Sequence, residues 1–448
     1  MKFNRREFIK TGALAAAALG IGNSLFGATG QPKVASQYPV LIVVNLEGGN
    51  DGVNAVIPLA PNEYNRYRDL RPTLGFSQAA LSATQLNGSY ALSPGLSPFK
   101  SLWNSNKLAV VTGVSVPYNA VGQYDHSAGQ YEFQSCDVFR DLTSVATGWL
   151  GRYLDPYSGP NQPPNTVTPG IDLGGGRLML TGNVHIPVTI STISDFQLQV
   201  SGVTSTARRN AYENIMNNYV PDVLDGIVDK QNRDFRRQAL SQSALINSAT
   251  SGYSDSPPPG ANFPDTWMGR QMWEATKIVL ANIGIRAMAI GTGGYDTHSG
   301  QNTIITTSDF GTANEQIEYH QYLLKDASQS IKAAYDYLAA QGASSNVLFL
   351  TISEFGRRAE ENTGLGTDHG FGSMAFAAGD MVNNGIYGSY PSLNNLYEGY
   401  SQNDGSLDIG CDFRNMYSDV LNGLYGVDPQ PILDPQNQFP DFQPLGFL

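Results

Sequence analysis

Carboxylates and imidazoles recur in this sequence beside glycine-rich turns. They occur as Asp51 in Gly48-Gly49-Asn50-Asp51-Gly52, as Asp296-Thr297-His298, as Glu354, and as Asp368-His369 within Gly366 to Gly370. Oxygen and imidazole donors together suit Zn, Mn or Fe, or Ca where oxygens predominate. Asp51, Asp296, His298, Glu354, Asp368 and His369 are therefore candidate ligands for one or two divalent ions. Two neighbouring ions would clamp an anionic substrate and activate a nucleophile. Each element also has a plainer reading. Asn-Asp-Gly favours a tight turn, Asp-Thr-His can cap a helix, and Glu354 can pair with Arg357 or Arg358. Their joint occurrence favours the metal reading.

The elements that must position these residues are short apolar runs. Val40 to Leu46, Lys107 to Val114, Ile285 to Ile290, Val347 to Ile352 and Met374 to Ala378 read as buried strands. Continuous apolar runs without alternation suit strands covered on both faces, as in a parallel sheet between helices. Ile317, Leu324, Ile331, Tyr335 and Leu338 form one helical face, and Phe413, Met416, Tyr417, Val420, Leu421 and Leu424 another, with Gly426 placed as its cap. Strands alternating with helices predict an α/β class with a mainly parallel central sheet flanked by helices. Asp51, Asp296, His298 and Glu354 each follow a strand, where ligands bind in open α/β sheets. Residues 155–265 are bracketed by Pro-, Asn- and Ser-rich stretches and read as an inserted cap. They include a polar helix over about 207–245.

The N-terminus reads as an address. Arg5-Arg6-Glu7-Phe8-Ile9-Lys10 followed by an Ala- and Gly-rich apolar stretch has the layout of a twin-arginine signal. That stretch is shorter than the roughly 20 residues needed to span a bilayer, so no stable membrane anchor is expected. Residues 1–35 are taken as the signal, and 36–448 as one mature domain that is periplasmic or secreted. The twin-arginine translocase is its partner during export. The full chain carries a formal charge of −12. Removing five cations and one acid with the signal takes this to −16. Such an acidic protein is a poor nucleic-acid binder, because phosphate contacts need clustered Arg and Lys. No Gly-Lys-Ser/Thr phosphate loop and no Gly-x-Ser-x-Gly elbow occurs. Gly174-Gly175-Gly176 precedes no helix-like run and reads as a turn. The two cysteines, Cys136 and Cys411, either pair or remain as buried thiols.

Several motifs then line up in order: Leu46 to Gly52, Gly148-Trp149-Leu150-Gly151-Arg152-Tyr153-Leu154, Tyr295 to His298, Ser353-Glu354-Phe355-Gly356-Arg357, Gly366 to Gly370, and Asp412-Phe413-Arg414. In these the chain resembles the exported family called domain of unknown function 1501, which is similar in its core to the alkaline phosphatase and sulfatase superfamily. The resemblance implies an alkaline-phosphatase-like core and hydrolysis of small phosphate or sulfate esters at metal. It implies Asp51 as a first-strand ligand, Asp296 and His298 as the later Asp/His pair, Glu354 where an Asp-His pair is common, and His369 as the closing ligand. Asp368 would ligate or orient an imidazole. It supports one metal better than two.

The pattern departs at Asp125-His126, where the family has Ser-His. Asp125, His126 and Ser127 are the candidate catalytic group, with His126 orienting the attacking group or protonating the leaving oxygen. Arg357 would offset charge on the transferred group. Two readings follow: an exported metal-dependent ester hydrolase, or a non-catalytic exported binding or assembly protein on the same fold.

Overall fold

The computed structural model describes residues 36–117, 124–138, 147–159, 162–163, 166–194, 214, 241–397, 405–439 and 442–448. The signal expected over residues 1–35 and most of the helix expected over 207–245 lie outside the described residues.

A central nine-stranded sheet organises the molecule. Its strands are β1 (Val40–Leu46), β2 (Leu108–Ser115), β3 (Gly170–Asp172), β4 (Val188–Thr189), β5 (Ala287–Thr292), β6 (Val347–Ile352), β7 (Ser373–Gly379), β8 (Gly385–Gly388) and β9 (Cys411–Asp412). They lie in the order β8-β2-β7-β6-β1-β5-β3-β4, with β9 also pairing on β2. The α/β class is as the sequence predicts. Pairing is parallel except at β7, which runs antiparallel to both β6 and β2. The segment read as an insertion supplies β3 and β4, which extend the sheet beyond β5.

β1 shows why a continuous apolar run suits this position. Val40, Ile42 and Val44 enter one core, and Leu41 and Val43 enter the other. Successive side chains point to opposite faces, so a strand buried on both sides needs apolar residues at every position. Helices cover the two faces: α1 (Pro61–Leu70), α2 (His126–Ser135), α3 (Trp149–Leu154), α4 (Trp267–Ala281), α5 (Tyr319–Ala340) and α6 (Phe413–Asp419). Met272 and Ile278 of α4 and Leu324 and Ile331 of α5 fill the first core. Trp149 and Leu150 of α3 and Phe413 and Met416 of α6 fill the second.

Two local expectations change, and the open reading of the cysteines is decided. Ile317 lies not in α5 but in Glu315–Glu318, a strand that pairs antiparallel with Ile304–Thr307, and the helix begins at Tyr319. Gly174 and Gly175 do turn the chain at positive φ, but Gly176 then caps a four-residue helix, Arg177–Leu180. Cys136 and Cys411 are both free and buried, and burial pushes each thiol up to about 12. Among the described residues no helix is long and apolar enough to cross a membrane.

Candidate metal centre

The sheet delivers its acidic and imidazole groups to the carboxyl ends of β1, β5 and β6. Asp296 and His298 follow β5, Glu354 follows β6, and His369 stands on a two-residue strand paired with Gly356–Arg357. His126 opens α2, whose N-cap is Asp125, its carboxylate accepting from the Ala128 amide at 2.7 Å. Gly129 lets α2 approach this edge, since a Cβ there would lie 2.9 Å from the Glu354 carbonyl.

Three of the chain's five histidines converge on one carboxylate. His298 Nε2 lies 3.1 Å and His369 Nε2 3.2 Å from Asp296 Oδ1, and the two nitrogens are 2.9 Å apart. His126 Nε2 lies 3.5 Å from Asp296 Oδ2. The far side of each ring is held by an acceptor. His126 Nδ1 bonds Glu354 Oε1 at 2.9 Å, His298 Nδ1 bonds Asp368 Oδ1 at 3.2 Å, and His369 Nδ1 bonds the Tyr124 carbonyl at 2.8 Å. A carbonyl and two carboxylates only accept, so in neutral rings they place the proton on Nδ1 and turn the Nε2 lone pair inward. Several acceptors facing one another need a cation among them, either a proton or a metal ion. The His298, His369 and Asp296 Oδ1 separations of 2.9 to 3.2 Å are near the roughly 3.3 Å edge of a tetrahedron with Zn–N bonds of about 2.0–2.1 Å. The donor set therefore fits a divalent metal: His126, Asp296 and His369 offer converging ligand atoms, and His298 stands beside them on Asp296.

The electrostatics agree. Burial raises the Asp296 carboxyl, but the bond and charge of the Arg357 guanidinium outweigh this and bring it down to about 2. Burial also lowers His369, which favours the neutral ring a metal requires. The centre is open: the Asp296 and His298 side chains are each 47% exposed and His126 is 38% exposed. Phe355 packs against the rings of His126 and His369, with centroids 4.9 and 4.6 Å away.

The remaining sequence candidates fall around the cluster rather than in it. Glu354 and Asp368 sit behind imidazoles, and Glu354 also accepts from the Gly48 amide at 2.8 Å. Asn362 Nδ2 bonds both Asp368 Oδ1 and the His298 carbonyl, each at 2.9 Å. Asp51 does not join the group. It is fully buried, and Arg71 donates to both its oxygens at 2.5 and 3.0 Å. Burial would raise this carboxyl, yet the guanidinium holds it at about 2. Arg357 is fully buried too. Its donors go to the carbonyls of Gly48, Gly49 and Thr367 and to Asp296, so it braces the loops and faces no substrate. Asp125 and Ser127 are exposed at the start of α2.

The Tyr124 carbonyl and Asn362 escape sequence reasoning, the first because any residue supplies a carbonyl. Its one signal is conformational, a φ of +65° at a tyrosine, and this appears only in the structure.

Comparisons with known proteins bear on family and little else. No curated protein matches the chain. A crystal structure of a mutant of alkaline phosphatase PafA is similar at 11% identity and a TM-score of 0.28, over 74% of this chain. The match spans 65% of that phosphatase's length. The family model described as protein of unknown function (DUF1501) matches residues 141–404, more than half of the sequence. On that match, the chain belongs to the DUF1501 family.

Proposed function

We propose that this protein is an exported, metal-dependent hydrolase of small phosphate or sulfate esters. The observation that carries the reading is the convergence of three imidazole nitrogens on the Asp296 carboxylate at an open edge of the sheet. A set of three imidazoles and one carboxylate suits Zn, Mn or Fe, and disfavours Ca, which takes oxygen ligands. His126, His298, His369 and Asp296 would hold the ion. When bound, it supplies a Lewis acid for the ester oxygen and a lowered pKa for a coordinated water.

The chain's own residues orient and exclude. Glu354, Asp368 and the Tyr124 carbonyl hold the three Nδ1 protons, which fixes each ring. Phe355 packs against His126 and His369 and supports both rings from one side. Arg357 offsets the negative charge of Asp296 from within the protein. Asp125 caps α2, so the position where the family carries a serine serves the helix. Water at the centre therefore suits the attacking role better than a side-chain hydroxyl.

That same departure favours the second reading, a non-catalytic exported binding or assembly protein that keeps the metal for order. A twin-arginine route would suit either, because it carries chains already folded around their metal.

The test is to purify the mature protein from an exporting host and measure bound metal. Aryl phosphate, phosphodiester and aryl sulfate hydrolysis would then be compared with that of His298→Ala and His369→Ala. The hydrolase reading expects turnover of at least one ester that falls by 100-fold or more in both variants. Bound metal without turnover that depends on these residues leaves only the binding role.

A further inference from the structure

Behind the centre lies a closed chain of buried polar groups that touches no ligand atom. Gln301 is 2% exposed, Thr297 3%, and Thr367, Asp51 and Arg71 are fully buried. Gln301 Nε2 donates to Asp51 Oδ2 at 2.5 Å. Its Oε1 accepts from the Thr297 hydroxyl at 2.9 Å and from the Thr367 hydroxyl at 3.0 Å. Asp51 is held in turn by the two Arg71 bonds, and Arg71 Nε bonds the Ala359 carbonyl at 2.7 Å.

The polarity of this chain allows one arrangement. An ionised carboxylate only accepts, so the amide nitrogen must face Asp51 and the amide oxygen must face the hydroxyls. Both threonines are then obliged to donate. Thr297 stands between Asp296 and His298, and Thr367 immediately precedes Asp368 and His369. One amide oxygen thus ties together the two loops that carry opposing ligands, reinforced by the Thr367 amide on the Thr297 carbonyl at 2.9 Å.

We propose that Gln301 is a positioning residue for the metal centre. Acting through Thr297 and Thr367 and anchored on Asp51 and Arg71, it sets the separation of the His298 and His369 nitrogens. The inference rests on the metal reading above and deepens it. It also gives Asp51, in the loop after β1, a role as an anchor.

Cobalt(II) titration tests this, because the visible absorption of the bound ion reports ligand geometry in the saturated, folded protein. Thr297→Val and Thr367→Val each keep the shape and remove one donor. Each should weaken Co²⁺ binding by about tenfold or more, the lower bound for disturbing groups behind metal ligands, and should shift the absorption at saturation. Thr297→Ser and Thr367→Ser should restore both. Thr276→Val, which removes an equally buried hydroxyl from α4, should change neither. Wild-type affinity and spectrum in both valine variants would overturn the positioning role while leaving the metal centre standing. A wild-type protein that binds no Co²⁺ would overturn both.

Discussion

Glu354 and Asp368 show how far residue type alone can carry a site. Both are legible in the sequence as metal-type carboxylates. The structure sets each one behind an imidazole, on His126 and His298. A carboxylate there fixes the orientation and tautomer of the ring, and mutation of such groups costs about 10–100-fold in metal affinity. Glu354→Gln should fall in that range at unchanged stoichiometry, since glutamine still accepts from the ring but carries no charge. Calorimetric titration with Zn²⁺ checks this, and a full loss of binding would instead make Glu354 a ligand. Arg357 and Asp51 depart from their expected roles for one reason. Sequence names a charged group without naming what neutralises it. Arg71, which takes the carboxylate of Asp51, gives no sign of doing so at a distance of twenty residues. Asp51→Asn should leave that guanidinium buried and unpaired and cost about 3–5 kcal/mol, measured by chemical denaturation.

At the scale of elements, the strands were the most legible parts. β6 spans the predicted Val347–Ile352, and β1 the predicted Val40–Leu46. Strands buried on both faces must be apolar throughout, and that pattern survives without any knowledge of partners. The turns after them were legible as turns, but not in their closeness. Gly48 has a φ of +123°, and a Cβ there would lie 2.3 Å from the Asp296 amide nitrogen. Gly48→Ala should therefore push the loop carrying Asp296 outward. The expected result is a loss of more than about 1 kcal/mol of stability, from a backbone conformation alanine resists, together with weaker metal binding. Unchanged melting and unchanged affinity would mean the two loops are not packed as described. The hairpin at Ile304–Thr307 was missed because Ile317 continues the helical spacing of α5 by coincidence.

For the whole molecule, the two apolar cores on either side of one sheet explain why a fold of this size can place ligands from distant segments on one edge. They also bury groups that titrate. Asp326 on α5 accepts from Thr266, the N-cap of α4, at 2.6 Å. Burial pushes its carboxyl up to about 6, outweighing the bonds from Thr266 and Ser330. A raised carboxyl binds protons more tightly in the folded state, so stability falls as pH rises from about 4 to 6 and the cost is complete above that. Asp326→Asn should stabilise the protein at pH 7.5 by about 2–3 kcal/mol, the equivalent of some two pKa units. The gain should vanish near pH 4, where wild type is protonated too. Thermal melts across that range read it, and a gain independent of pH would contradict the assignment.

Metal, if it holds the loops together, also stabilises the whole. At a free concentration of 100 times Kd it adds about 2.7 kcal/mol, which chelation should remove. The proposed centre is defined by one property, an ion held by His126, His298, His369 and Asp296. The most direct measurement is metal content by elemental analysis of the purified protein, beside a His298→Ala, His369→Ala double variant that remains folded by circular dichroism. One equivalent of a transition metal or zinc is expected in the wild type and none in the variant. A wild type that binds no metal after reconstitution, or a variant that keeps its full equivalent, would contradict it.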